Sequence, residues 1–152
     1  MSALGGSDWK TSARSDTMHH FEKLKPLALL LLRLGLGIIF IYHGFPKLFT
    51  HTHQAMQQFP HMGFPPYFAL ISGIVEFFGG CLLVVGLFTR IAALLIAGEM
   101  AIAILKVHLP QGGPMAVSNY QLPLALAVAA FALVAVGPGA ISFDRAIFKN
   151  NA

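Results

Sequence analysis

Four apolar runs, at 27–45, 67–88, 91–109 and 121–137, decide most of what this chain can fold into. Each is close to the ~20 residues an α-helix needs to cross a hydrocarbon core of ~30 Å. Within lipid, every backbone N–H and C=O must be satisfied inside the protein, so runs of this kind fold as helices. Pro26 suits a first helical turn and Pro138-Gly139 a stop. Only Thr89-Arg90 separates the second run from the third, which requires a tight antiparallel hairpin. The sequence therefore predicts an all-α fold: a four-helix transmembrane bundle with a polar N-terminal tail and two extracytoplasmic loops. The expected layout is a cytoplasmic tail over 1–25, a membrane domain over 26–145 and a C-terminal tail over 146–152.

Composition supports a lipid-facing surface. Of 152 residues, 56% are hydrophobic and 11% charged, and mean hydropathy is +0.70; a soluble domain carries roughly 25% charged residues. The formal charge is +4, but the basic residues are scattered and not interleaved with aromatics, which argues against a nucleic-acid partner. They read instead as orientation charge, because Lys and Arg accumulate on the cytoplasmic side. With the N-terminus inside, that side collects Lys10, Arg14, Lys23, Lys25, Arg90, Arg145 and Lys149, against Lys47 and Lys106 outside. This predicts an inner-membrane, multi-pass protein with both termini cytoplasmic and outer loops at 46–66 and 109–120. Residues 1–25 show no apolar stripe and no cleavable signal pattern, and Met18 is a second candidate translation start. Cys81, the one cysteine, lies in an apolar run. It reads as a small core residue, and no Cys-x-x-Cys pair exists for thiol exchange.

Ionisable side chains at membrane depth are costly, face the bundle interior and mark functional sites. Three stand out: Arg33, Glu76 and Glu99. At ~1.5 Å per residue, Arg33 lies ~10 Å and Glu99 ~14 Å from the cytoplasmic side, with Glu76 near mid-membrane. Arg33 is thus expected to pair with a carboxylate, Glu99 being the better match in depth. At about 100° per residue, Arg33, Gly37, Phe40, Gly44 and Lys47 share one stripe. Gly73, Glu76 and Gly80 share another, and Glu99, Ala103 and Lys106 a third. Such a set can be a structural network that fixes helix pairing. A protonatable carboxyl at mid-membrane is, in addition, what proton-coupled quinone chemistry needs.

At the outer end, His43, Lys47, Lys106 and His108 form a polar cluster, with His51, His53 and His61 in the adjoining loop. They read as interfacial side chains, the lysines snorkelling to water, or as a site where His43 and Lys106 hydrogen-bond a quinone carbonyl. The "HTHQ" spacing at 51–54 lacks an acidic or thiol ligand, so no haem or metal is expected. Ser142 or Asp144 in "SFDR" reads as the cap of a short C-terminal turn.

The stretches "RLGLGIIFIYHGFPKLF" (33–49), "GIVEFFGGCLLVVGLFTRIAALLIAGEMAIAILKVH" (73–108) and "GPGAISFDR" (137–145) resemble the DoxX family of small bacterial inner-membrane proteins. The resemblance covers residues 29–145. It implies four membrane helices, both termini inside, and a tie to membrane redox systems of sulfur or oxidative-stress metabolism; related DoxD proteins belong to a thiosulfate:quinone oxidoreductase. By position, the family's recurring residues match Arg33, His43, Gly44, Lys47, Leu48, Glu76, Gly80, Arg90, Glu99, His108 and Asp144. Gln121 departs from the acid many relatives carry there, and an amide cannot exchange a proton.

Two functions follow as expectations. In the first, the chain is a quinone-linked subunit of an oxidoreductase, with Arg33, Glu76 and Glu99 as the catalytic proton path and His43, Lys47, Lys106 and His108 binding the quinone. In the second, it is a non-catalytic membrane anchor or assembly partner of a soluble enzyme. A transporter fits least, since no two matching halves carry broken helices. The chain has no dinucleotide glycine pattern, c-type haem pair or iron–sulfur cysteines. A protein partner in a redox complex is therefore expected on either reading. The helix glycines permit either homo-oligomer packing or internal packing.

Overall fold

A computed structural model describes the backbone over residues 8–148 and side chains over 22–147. The expected tails therefore fall in part, at 1–7 and 149–152, outside the described residues. The order is α1 (Asp8–Phe45), α2 (Thr52–Gln58), α3 (Phe68–Val85), α4 (Thr89–Ala103), α5 (Leu109–Gly112), α6 (Val117–Val136) and α7 (Phe143–Phe148). Four helical spans are long and apolar enough to cross a bilayer: Glu22–Thr50, Phe68–Val85, Thr89–Gly112 and Val117–Val136. The all-α four-helix membrane bundle stands.

The differences from expectation lie at element ends. Helix α1 runs back to Asp8, through the segment read as a polar tail. No Gly or Pro occurs between Asp8 and Lys25. A helix already nucleated downstream extends into such a segment at little cost, without an apolar stripe of its own. At the other end, α1 continues through a wide turn over Pro46–Thr50, in which the His51 amide bonds the Pro46 carbonyl at 2.7 Å. A second wide turn, Ile104–His108, carries α4 into α5. Each adjoins a proline, Pro46 or Pro110, whose missing amide donor breaks the regular ladder.

Helix α1 packs chiefly on α3, α3 on α4, and α4 on α6. The α1–α3 contact is glycine on glycine. A Cβ at Gly37 would lie 2.8 Å from the Gly80 carbonyl oxygen, and one at Gly44 would lie 2.9 Å from that of Gly73. These glycines therefore serve packing within the chain. Alanines 92, 93 and 130 do the same between α4 and α6, all fully buried. Leu36, Phe40, Leu83, Ile96 and Leu133 fill the remaining core. The outward faces carry Leu31, Ile38, Val128 and Phe131, all exposed, as lipid contact demands.

The end that gathers the α3–α4 turn and the segment after α6 is closed by polar contacts. Gly86 stops α3 in the left-handed region, φ 76°. Asp144 then accepts hydrogen bonds from the Phe88 and Thr89 amides, at 2.6 and 2.9 Å, so it caps α4. The cap of α7 is Ser142, whose hydroxyl oxygen accepts from the Arg145 amide at 3.2 Å. Of the two expected capping residues, Ser142 thus serves the C-terminal turn and Asp144 serves a helix 55 residues away in sequence.

Candidate functional site

Arg33 is 1% exposed, and among the described residues it forms no ion pair with a carboxylate. Its Nε donates to the Leu83 carbonyl at 3.0 Å, and its Nη1 donates to the carbonyls of Pro138 and Ile141, both at 2.7 Å. Nη2 reaches the Val84 carbonyl at 3.4 Å. The expected pairing with Glu99 or Glu76 is therefore corrected. The last carbonyls of a helix have no intrahelical donor; α3 ends beside Arg33, and the guanidinium's five N–H groups satisfy them. A depth argument could place Arg33 at a height, but it could not show that a helix would end there. Arg33 joins α1, α3 and the segment after α6, away from the other candidate residues.

Those other residues meet at the opposite end of the bundle. A cavity of ≈ 820 Å³ opens between the ends of α1, α3 and α4, under the cover of α2 and the turn that follows it. Its polar wall is made by Lys47, Ser72, Glu76 and Glu99, with His43 and His108 at the rim. Apolar walls come from Phe64, Phe68, Ile71, Leu94 and Leu95.

The polar groups form one connected chain. Lys47 Nζ lies 2.6 Å from Glu76 Oε2, a close ion pair. The same ammonium donates to Ser72 Oγ at 2.9 Å, and the Ser72 hydroxyl donates to Glu99 Oε1 at 2.5 Å. Glu76 is 4% exposed. Among the described residues, Glu99 Oε2 is buried with no hydrogen-bond partner. The wide turn at Pro46–Thr50 brings Lys47 into this chain; Gly44 and Gly73 let α1 approach α3 closely enough for the ion pair to form. Phe59, from the turn after α2, stands 5.9 Å from the Lys47 ammonium and covers it with an aromatic face.

Both rim histidines are tied to their own helices. His43 Nδ1 bonds the Ile39 carbonyl at 2.8 Å, and His108 Nδ1 bonds the Ala103 carbonyl at 2.9 Å. A carbonyl only accepts, so the proton sits on Nδ1 and Nε2 is left as an acceptor. His51 also lines the cavity, its Nδ1 bonded to Thr50 Oγ1 at 2.8 Å.

Of the seven site residues expected from sequence, the fold brings together His43, Lys47, Glu76, Glu99 and His108. Lys106 is exposed and outside the cavity wall. The wide turn at Ile104–His108 takes in an extra residue, so the 100° spacing that aligned Lys106 with Glu99 fails there and His108 faces the cavity instead. Ser72, the bridge between Lys47 and Glu99, was not anticipated. Its signal was present: Ser72 lies four residues before Glu76, on the same helical face.

The DoxX family profile matches residues 28–109, a span that contains every polar group of the cavity. The chain is 33% identical over 140 residues to the inner membrane protein YphA of Escherichia coli, covering 86% of this chain and 99% of that protein. It is 32% identical over 136 residues to an uncharacterized protein of Haemophilus influenzae, covering 87% and 99%. A Bacillus subtilis protein named "Putative oxidoreductase CatD" is 33% identical over 120 residues, covering 79% and 87%. No solved structure matches significantly. With four membrane-crossing helices and this match over the residues that build its cavity, the chain belongs to the DoxX family of multi-pass inner-membrane proteins.

Proposed function

We propose that this DoxX protein binds a quinone head group in the cavity at the α2 end of the bundle and is the quinone-linked subunit of a membrane redox complex. The observation that carries the reading is Glu99. It is a carboxylate within a membrane span, held through one oxygen by Ser72 and left without a partner at the other, on the wall of a largely apolar cavity. An unmet buried acceptor costs about 1–3 kcal/mol, and a ligand in the cavity that donates to it would offset that cost. Apolar walls suit the ring and tail of a quinone, and the Nε2 atoms of His43 and His108, left as acceptors, suit the hydroxyls of its reduced form.

A bound quinone supplies a two-electron, two-proton couple. This chain's residues hold and move the protons: Glu99 and Glu76 as carrying groups, and Ser72 as the hydroxyl between Glu99 and the Lys47 ammonium. Lys47 pairs with the second carboxylate, Glu76, and so links the two acids through Ser72. The electrons come from a partner, since the chain has no dinucleotide, haem or iron–sulfur motif of its own. The name of the Bacillus subtilis relative supports an oxidoreductase setting. The Lys and Arg distribution supports both termini on the cytoplasmic side, which places the cavity toward the outer face.

Solvent extraction of the protein purified in native lipid, with quinone quantified per chain, tests the reading. Near-stoichiometric quinone is expected in the wild type, falling to background in Ser72→Ala and Glu99→Gln variants that elute as folded protein. Background quinone in all three would overturn it and leave the chain a membrane anchor for a soluble enzyme.

A further inference from the structure

At the end of the bundle opposite the quinone cavity, a second groove of ≈ 770 Å³ runs between the start of α1's membrane span, the first turn of α4 and the segment leading to α7. Its floor is apolar, made largely by Leu29, Ile91 and Val136. Three cations border it: Lys25 from α1, Arg90 from α4 and Arg145 from α7. They come from separate parts of the chain, so their convergence is a product of the fold and not of a basic run.

The acids nearby are already engaged. Asp144 spends both oxygens on the Phe88 and Thr89 amides, and Glu22 is paired with Lys25. Among the described residues, Arg90 and Arg145 form no ion pair, and both are exposed. Arg90 is the second residue of its membrane span and Lys25 lies two residues before the apolar run that begins at Leu27, which suits both cations to the depth of lipid phosphates. The apolar floor continues from there along the membrane-crossing helices.

We propose that this groove is a binding site for an anionic phospholipid. The phosphate sits between Arg90 and Arg145, with Lys25, paired to Glu22, at the edge of the groove, and an acyl chain lies along Leu29, Ile91 and Val136. A planar guanidinium binds phosphate oxygens in pairs, and basic pockets between membrane helices favour anionic headgroups. A cationic groove with an apolar floor fits a lipid better than a free anion, which would leave the floor uncovered. The site is independent of the quinone reading and stands or falls without it.

The test is retention of lipid by the purified full chain. The protein is exchanged into phosphatidylcholine nanodiscs containing a minor fraction of phosphatidylglycerol, re-extracted in mild detergent, and its phospholipid identified by mass spectrometry. Selective retention of phosphatidylglycerol is expected, weakened about five-fold for each of Arg90→Gln and Arg145→Gln and unchanged by Lys23→Gln. Lys23 carries the same charge at the same end but lies outside the groove. Equal loss in Lys23→Gln would overturn the site in favour of diffuse surface charge. Displacement of the lipid by millimolar inorganic phosphate would overturn it in favour of a simple anion site. Should the arginine variants elute unfolded, photo-crosslinkable phosphatidylglycerol on the unaltered chain must label the peptides holding Leu29 and Ile91, and labelling confined elsewhere would overturn the proposal.

Discussion

Arg33 and Lys47 lie on one stripe of α1, both polar and both within the same membrane span, yet they do opposite work. Lys47 meets a carboxylate; Arg33 meets carbonyls only. The stripe itself was legible in the sequence, because Arg33, Gly37, Phe40 and Gly44 recur at helical spacing and all four are buried. What each cation would face was not legible, since that depends on where α3 ends and how the chain returns after α6. The structure makes Arg33 a positioning residue, which gives a prediction that separates it from the cavity. Arg33→Met removes donors from up to four carbonyls, at about 1–3 kcal/mol for each one left buried and unmet. A loss of at least ~3 kcal/mol follows, seen as a large drop in the thermal unfolding midpoint in detergent. Arg33→Lys keeps the charge but not the fork, so it recovers only part of that loss. Quinone bound per folded chain stays at the wild-type level in both variants. A specific loss of quinone with unfolding unchanged would return Arg33 to the catalytic set.

At the scale of elements, the existence of the helices was legible and their irregular turns were not. Hydropathy finds a membrane helix because lipid allows few alternatives. It cannot find the two wide turns, which arise where Pro46 and Pro110 withdraw an amide and the backbone readjusts. Those turns decide that His108 rather than Lys106 lines the cavity, so the one misplaced lysine has an element-scale cause. The glycine pairs were legible as a pattern, though whether they served one chain or two depended on the packing. Inside lipid, helix association relies on close van der Waals contact, so the α1–α3 seam is sensitive to a single methyl. A Cβ at Gly80 would lie 2.7 Å from the Gly37 carbonyl oxygen and 2.9 Å from the Ile41 amide nitrogen, both backbone atoms that cannot move aside cheaply. Gly80→Ala is therefore expected to destabilise by about 1–3 kcal/mol. Gly98, with nothing within 4 Å of its virtual Cβ, supplies the contrast: Gly98→Ala should be neutral or stabilising by about 0.5–1 kcal/mol. Paired thermal melts check both. A stable Gly80→Ala protein would mean that the seam is looser than described.

The whole molecule divides its polarity between its two ends, and the expected orientation rests on the charge asymmetry between them. The sequence sets Lys47 and Lys106 against seven basic residues at the other end. In the fold, Lys47 is bound to Glu76 inside the cavity, which leaves Lys106 as the exposed lysine of the α2 end. The opposite end keeps exposed Lys23, Lys25, Arg90 and Arg145 among the described residues. The positive-inside rule counts Lys and Arg near the ends of membrane helices, and on that count a cytoplasmic N-terminus is the expected orientation. On that orientation, protons exchanged at the proposed Glu76–Glu99 pair would communicate with the outer face, and the proposed anionic lipid would sit in the inner leaflet. Cysteine labelling decides this. Cys81→Ser removes the native thiol; Met115→Cys, at a residue 95% exposed in the loop between α5 and α6, and Lys23→Cys then report on opposite ends. A membrane-impermeant maleimide should label Met115→Cys in intact spheroplasts and Lys23→Cys only after the membrane is opened. The reverse pattern would turn the bundle over, direct the cavity toward the cytoplasm, and move the lipid groove to a leaflet where its charge would need a different explanation.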